Sequence, residues 1–168
     1  MKEEAVPHDP SPLEFPAKRM AAGAVIRDQR GCILIVKPVY KEGWEVPGGI
    51  VEGDESPLSC CRRELREELG VSLAVGALMA VDWMAPRSTK REAVMFLFDG
   101  GVLEEADLER LRLPPGELSE WRLVSRAELG QYLPPELAAR VTSALAPLND
   151  VYLENGAVPE QMDSISWA

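Results

Sequence analysis

The sequence predicts a mixed α/β domain, and three observations carry that reading. Short apolar or alternating runs of strand length stand on both sides of a single, well-punctuated helix between Ser56 and Gly70. Further helical patterns return only towards the C-terminal end. Strands, one central helix, more strands and closing helices form the order of a mixed sheet with helices packed on it. At 168 residues the chain is long enough for one domain with a real core.

Residues 1–17 are polar and Pro-rich and read as a flexible N-terminal tail, with Phe15 placed to pin its end. Arg19 to Asp28 reads as a strand. Asp28-Gln29-Arg30-Gly31 has the Asp-first, Gly-fourth pattern of a turn, and Cys32 to Lys37 reads as a buried strand completing a hairpin. Tyr40 to Gly43 is a loop, and Trp44-Glu45-Val46 a short strand leading into Pro47-Gly48-Gly49. Ser56 is a good N-cap, Pro57 loses no useful N–H at the first helical position, and Gly70 tolerates the left-handed conformation that stops a helix. Leu58, Cys61, Leu65 and Leu69 form the apolar stripe of that helix.

Ser72 to Met84 alternates with period two and reads as one long strand, with Gly76 as a possible bulge site. Residues 85–90 form a loop carrying Arg87 and Lys90, and Arg91 to Asp99 returns as a strand closed by Gly100-Gly101. Residues 102–116 fit either a short helix over Glu104 to Arg112 or a strand over Leu108 to Leu113. Glu117 to Val124 reads as a strand. Ser125 to Glu128 is a capping box opening a short helix, and Pro135 to Leu145 is a last helix. The domain is thus expected over 18–146, with 147–168 a C-terminal tail in which Val151-Tyr152-Leu153 could add an edge strand.

Composition narrows the function. A net charge of −10 argues against non-specific binding to nucleic acid or anionic membranes. No apolar run is long enough to span a bilayer, and the first residues lack the apolar core of a signal peptide. Cys32, Cys60 and Cys61 are odd in number and two are adjacent, which is no disulfide framework; a reducing cytoplasm is the simplest home. His8 is the only histidine and sits in the tail, which leaves little room for histidine catalysis or a histidine metal site.

The chemistry concentrates on the central helix. Glu64, Glu67 and Glu68 stand at i, i+3 and i+4 and share one face. Three carboxylates there repel each other, so a cation is expected among them, and hard oxygen ligands suit Mg²⁺ or Mn²⁺ rather than zinc. Gly48-Gly49 allows close approach of backbone just before the helix. From Gly49 the spacing runs five residues to Glu55, seven more to Arg63, then Glu64, Leu65, one free position, Glu67, Glu68, another, Gly70 and Val71. At background residue frequencies that pattern arises by chance about once in a billion start positions. A merely charged, solvated helix does not account for it.

At every fixed position this stretch resembles the signature of the Nudix hydrolases. The resemblance implies the Nudix fold, a mixed β-sheet sandwiched between α-helices. It implies Mg²⁺- or Mn²⁺-dependent cleavage of a diphosphate linkage in a nucleoside diphosphate derivative or nucleoside triphosphate. It implies that Glu67 and Glu68, with Glu64 and the Gly48 carbonyl, hold one to three ions, that Arg63 orients the carboxylates, and that Glu55 helps hold the loop. Glu64 is also a candidate base. Many relatives supply another carboxylate near a late strand, where Glu117 is favoured over Glu120. Arg87, Lys90 and Trp83 are candidate substrate contacts, although the first two equally suit a solvated loop and the third a core. A small nucleotide-type substrate, no nucleic acid, no membrane, and a monomer or homodimer complete the expectation. Two rivals stand beside it: a non-catalytic Nudix-like nucleotide sensor, and an isomerase of isopentenyl diphosphate, which would need a catalytic cysteine placed elsewhere than Cys60 and Cys61.

Overall fold

The computed structural model describes residues 17–88, 91–147 and 151–160. The N-terminal tail reading, including His8 and Phe15, and the Lys90 assignment lie outside the described residues. Seven strands form one mixed sheet: β1 (Arg19–Asp28), β2 (Ile33–Pro38), β3 (Gly48–Ile50), β4 (Leu78–Met84), β5 (Ala93–Leu103), β6 (Leu118–Val124) and β7 (Tyr152–Glu154). The order is β6-β2-β1-β5-β4-β7, with β3 paired to β1. β1 runs parallel to β5 and β4 parallel to β7; the other pairs are antiparallel. The helices are α1 (Pro57–Leu69), α2 (Glu105–Leu108), α3 (Leu129–Tyr132, preceded by a 3-10 turn over Arg126–Glu128) and α4 (Pro135–Ala144).

Alternation along the central strands makes the two-sided core. Ala22, Ala24 and Ile26 of β1 and Leu34 and Val36 of β2 face α1, against Cys60, Cys61, Leu65 and Leu69. Val25, Ile33, Ile35 and Leu97 face the opposite way, against Leu129 of α3, Leu133 just after it, and Ala138 and Val141 of α4. The sheet is therefore sandwiched between helices, as the Nudix reading expected. Leu65 and Leu69 are almost fully buried, and each stabilises the packing of α1 by roughly 1.5–3 kcal/mol.

The punctuation of α1 reads from the sequence as it folds. Ser56 Oγ accepts the Ser59 N–H at 3.1 Å, and Gly70 ends the helix at φ 67°. The Asp28–Gly31 turn closes with a 3.0 Å bond from Gly31 N–H to the Asp28 carbonyl. At Ser125 the capping box forms, with Glu128 accepting the Ser125 N–H at 2.9 Å. Between 102 and 116 the helical alternative is the one adopted, over Glu105–Leu108.

Three expectations shift. Trp44-Glu45-Val46 is not a strand: Glu45 and Val36 exchange one pair of backbone bonds, then Pro47, with no N–H to give, interrupts the ladder. The strand resumes at Gly48 against β1. The long strand from Ser72 shortens to Leu78–Met84. Leu73 and Val75 do alternate towards the core, but most of the segment from 72 to 77 lacks a ladder partner, and a register shift between Leu78 and Ala80 then moves burial onto Ala80 and Asp82. Period two reported burial there, not pairing. Finally, Gly100-Gly101 does not close β5, which runs on to Leu103. The pair sits at a bulge opposite β1, where a side chain on Gly100 would meet Ile26 Cγ1 at 2.4 Å.

After α4 the chain returns as β7 at the sheet edge. Its anchor is Asp82, fully buried on β4, which takes the Arg140 Nε of α4 at 2.5 Å and the Gly156 N–H at 3.0 Å. Among the described residues no helix is long and apolar enough to cross a membrane.

Candidate active site

β3 and α1 build the site between them. Gly48 lies against β1 with φ 147°, and a Cβ there would meet Ala22 O at 2.3 Å. A Cβ on Gly49 would meet Glu64 Oε1 at 2.1 Å. The two glycines therefore let the loop backbone lie directly on the carboxylate face of α1. This close fit is sealed by the Gly48 N–H, which donates to Glu68 Oε2 at 2.8 Å.

Arg63 is the hub. Its Nε and Nη2 grip both oxygens of Glu55, at 2.9 and 3.0 Å. Its Nη1 reaches Glu64 Oε1 at 2.9 Å and Glu67 Oε2 at 3.0 Å, and Nη2 also reaches the Ile50 carbonyl at 3.3 Å. One planar fork thus ties the loop before α1 to two carboxylates on α1. The guanidinium is held firmly protonated by its carboxylates, Glu55 above all, and in return holds the Glu55 carboxyl below its ordinary range.

Glu64 and Glu68 are pushed the other way. Burial raises Glu64, only partly offset by Arg63. Burial also pushes Glu68 up to about 8, against the pull of the Gly48 N–H and with further pushes from Glu64, Glu45 and Glu117. Such a set holds more negative charge than its surroundings neutralise, and all its donors are hard oxygens. That chemistry fits Mg²⁺ or Mn²⁺. In the arrangement described, Glu64 and Glu67 are turned to Arg63 and Glu68 to Gly48. No three His, Cys, Asp or Glu side chains among the described residues already converge as a metal cage.

Gly48, Arg63, Glu64, Glu67, Glu68 and Glu117 all line one cleft of about 570 Å³, within the range that holds small-molecule ligands. Glu120, the weaker alternative, is paired with Lys37 at 3.0 Å and does not line it. Two candidate substrate contacts also fall elsewhere: Arg87 is ion-paired with Glu136 of α4, and Trp83 Nε1 donates to Glu92 at 3.1 Å. Neither lines the cleft. Tyr40, Ile50 and Glu52 do. Ile50 and Glu52 occupy free positions of the motif and Tyr40 lies outside it, so spacing gave no signal for any of them.

The NUDIX domain family profile matches residues 17–146. A MutT-like protein of Streptomyces ambofaciens is 35% identical over 106 residues, covering 59% of this chain and 65% of its own length, so the chain spans slightly under two-thirds of that relative. An RNA pyrophosphohydrolase of Psychrobacter cryohalolentis is 27% identical over 164 residues, covering 85% of this chain and 92% of its own. Among solved structures, the MutT protein of Methanosarcina mazei Go1 superposes with a TM-score of 0.60 at 26% identity, covering 73% of this chain and 88% of that one. With the profile spanning most of the chain and the folds alike, the chain belongs to the Nudix family.

Proposed function

We propose that the protein is a Mg²⁺- or Mn²⁺-dependent hydrolase that cleaves a diphosphate linkage in a nucleoside diphosphate derivative or nucleoside triphosphate. The observation that carries this reading is the Arg63 fork, which sets Glu64 and Glu67 beside Glu68 on one cleft wall. Bound divalent ions would supply charge neutralisation on the phosphoryl oxygens and a more acidic water. Glu67 and Glu68, with Glu64 and the Gly48 carbonyl, are the candidate ligands, and Glu117, which lines the same cleft, is the candidate for another. Water forms the new P–O bond, the bridging P–O bond breaks towards the leaving group, and a carboxylate takes the proton of the water. Glu64 suits that last role, since burial raises its proton affinity. Arg63 orients, as positioning and charge stabilisation carry phosphoryl chemistry.

The isomerase reading needs a reactive cysteine. Cys60 and Cys61 lie on the buried face of α1, and burial pushes their thiols up to about 11 and about 12. Neither offers a thiolate at neutral pH. Free thiols at Cys32, Cys60 and Cys61 favour a reducing cytoplasm.

The test is a phosphate-release screen with Mg²⁺ over nucleoside di- and triphosphates, nucleotide sugars, ADP-ribose and dinucleoside polyphosphates. An RNA oligomer with a 5′-triphosphate belongs in it, because relatives carry the name RNA pyrophosphohydrolase. The net charge of −10 favours a small nucleotide over RNA. Turnover of a mononucleotide that stops in chelator is expected; binding without turnover would leave the sensor, and full activity in chelator would refute the mechanism.

A further inference from the structure

The cleft is lined by two kinds of side chain: the carboxylates of Glu64, Glu67 and Glu68, and Tyr40 and Ile50, which are 71% and 50% exposed. Of the exposed large hydrophobic residues among those described, Tyr40 shows the greatest fraction of its surface to solvent. It is not loosely placed. Its loop between β2 and β3 is tied at Val39, whose N–H donates to the Glu117 carbonyl at 2.9 Å, and again by the Val36–Glu45 bridge. The Lys41 ammonium lies 5.5 Å from the Tyr40 ring centroid and is paired with Glu45 at 2.5 Å. Partial burial, then Glu45, and more weakly Glu68 and Glu64, push the phenol upward, so the ring stands within electrostatic reach of the carboxylates.

A ligand complementary to this cleft has a phosphate end for the metal-loaded carboxylate wall and a flat, apolar end for the exposed aromatic. We infer that Tyr40 is a specificity-determining residue that stacks on the nucleobase of a mononucleotide substrate. The inference rests on the hydrolase reading for the location of the phosphates and deepens it by naming the residue that recognises the nucleoside end. An aromatic of this exposure contributes little to the core, so its removal should leave the fold intact. Base–aromatic stacking tolerates different bases because each has a π-face, so Tyr40 would select nucleotides over other diphosphates rather than one base over another.

The test uses equilibrium binding, without turnover, to the full chain in Mg²⁺. The probes are α,β-methylene-ADP, its guanine counterpart, and methylenediphosphonate, which keeps the phosphonate end and lacks the nucleoside. Tyr40→Ala is expected to weaken both nucleotide analogues by roughly 5- to 150-fold while leaving methylenediphosphonate unchanged. Tyr40→Phe, which keeps the ring, is expected to bind like the parent. Parent-like nucleotide binding by Tyr40→Ala overturns the inference, as does an equal loss for all three probes. A parent that gains nothing from the nucleoside overturns it too. A non-hydrolytic protein would still show the Tyr40 effect, and a hydrolase indifferent to Tyr40 would fail only this inference, so the two readings fall separately.

Discussion

Replacing Arg63 with Ala would remove the guanidinium that ties Glu55 and the loop before α1 to Glu64 and Glu67. The side chain is 24% exposed, and its partners Glu55 and Glu64 are 15% and 17% exposed, so their counter-charge is not readily replaced by water. The Glu67 partner is 53% exposed, and that bond contributes at most ~1 kcal/mol. Charge-assisted bonds to the two less exposed carboxylates contribute about 1.5–3 kcal/mol each, and they are not additive. A loss of about 2–4 kcal/mol of stability is therefore expected, read from denaturant unfolding. Added Mg²⁺ could replace part of the lost charge but not the placement of the carboxylates. The defect in kcat should then persist at saturating metal, at about 100-fold, with KM changed only a few-fold. Arg63→Lys restores the charge without the fork and should recover stability better than kcat. If both variants stay folded and turn over like the parent, Arg63 is an ordinary surface ion pair and the proposed role of the hub is wrong.

Other perturbations test separate parts. Glu67→Gln and Glu68→Gln each delete a charge with little change of shape and should cut kcat by about 100-fold or more while the fold stays intact; unchanged turnover in both at saturating Mg²⁺ would exclude them as ligands. The Glu68 carboxyl is pushed from 4.5 up to about 8 in the metal-free fold. The folded state thus keeps a proton that the unfolded chain has released, and metal-free stability should fall as pH rises through that window. Melting temperatures in chelator across the window should show this fall, flattened in Glu68→Gln. Arg140→Met would leave Asp82 charged and fully buried with only the Gly156 N–H, at a cost of about 3–5 kcal/mol in chemical denaturation; a loss below ~1 kcal/mol would mean that the β4–α4–β7 tie does not hold the C-terminal segment.

Much of this protein was legible in one dimension because its determinants are local. Ser56, Pro57 and Gly70 punctuate α1 through their own backbone preferences, and i, i+3, i+4 spacing puts Glu64, Glu67 and Glu68 on one face whatever surrounds the helix. The Asp28–Gly31 turn and the Ser125 box are local in the same sense. The family signature belongs with these, since the fork from Arg63 to Glu64 and Glu67 stays within a turn or so of helix.

What required tertiary structure was whatever depends on a partner distant in sequence. Alternation after Ser72 told which side chains turn inward, but only the position of β5 decided where a ladder could form. Gly100-Gly101 looked like a stop, yet the close approach of Ile26 on β1 makes it a bulge within β5. Arg87 and Trp83 had suitable chemistry for a substrate, but Glu136 and Glu92 claim them away from the cleft. Tyr40, ordinary in the sequence, lines the same cleft as the carboxylates because the β2–β3 loop is tied beside Glu117. A side chain's chemistry is fixed by its own atoms, but its use depends on which distant neighbours the fold brings within a few ångströms of it.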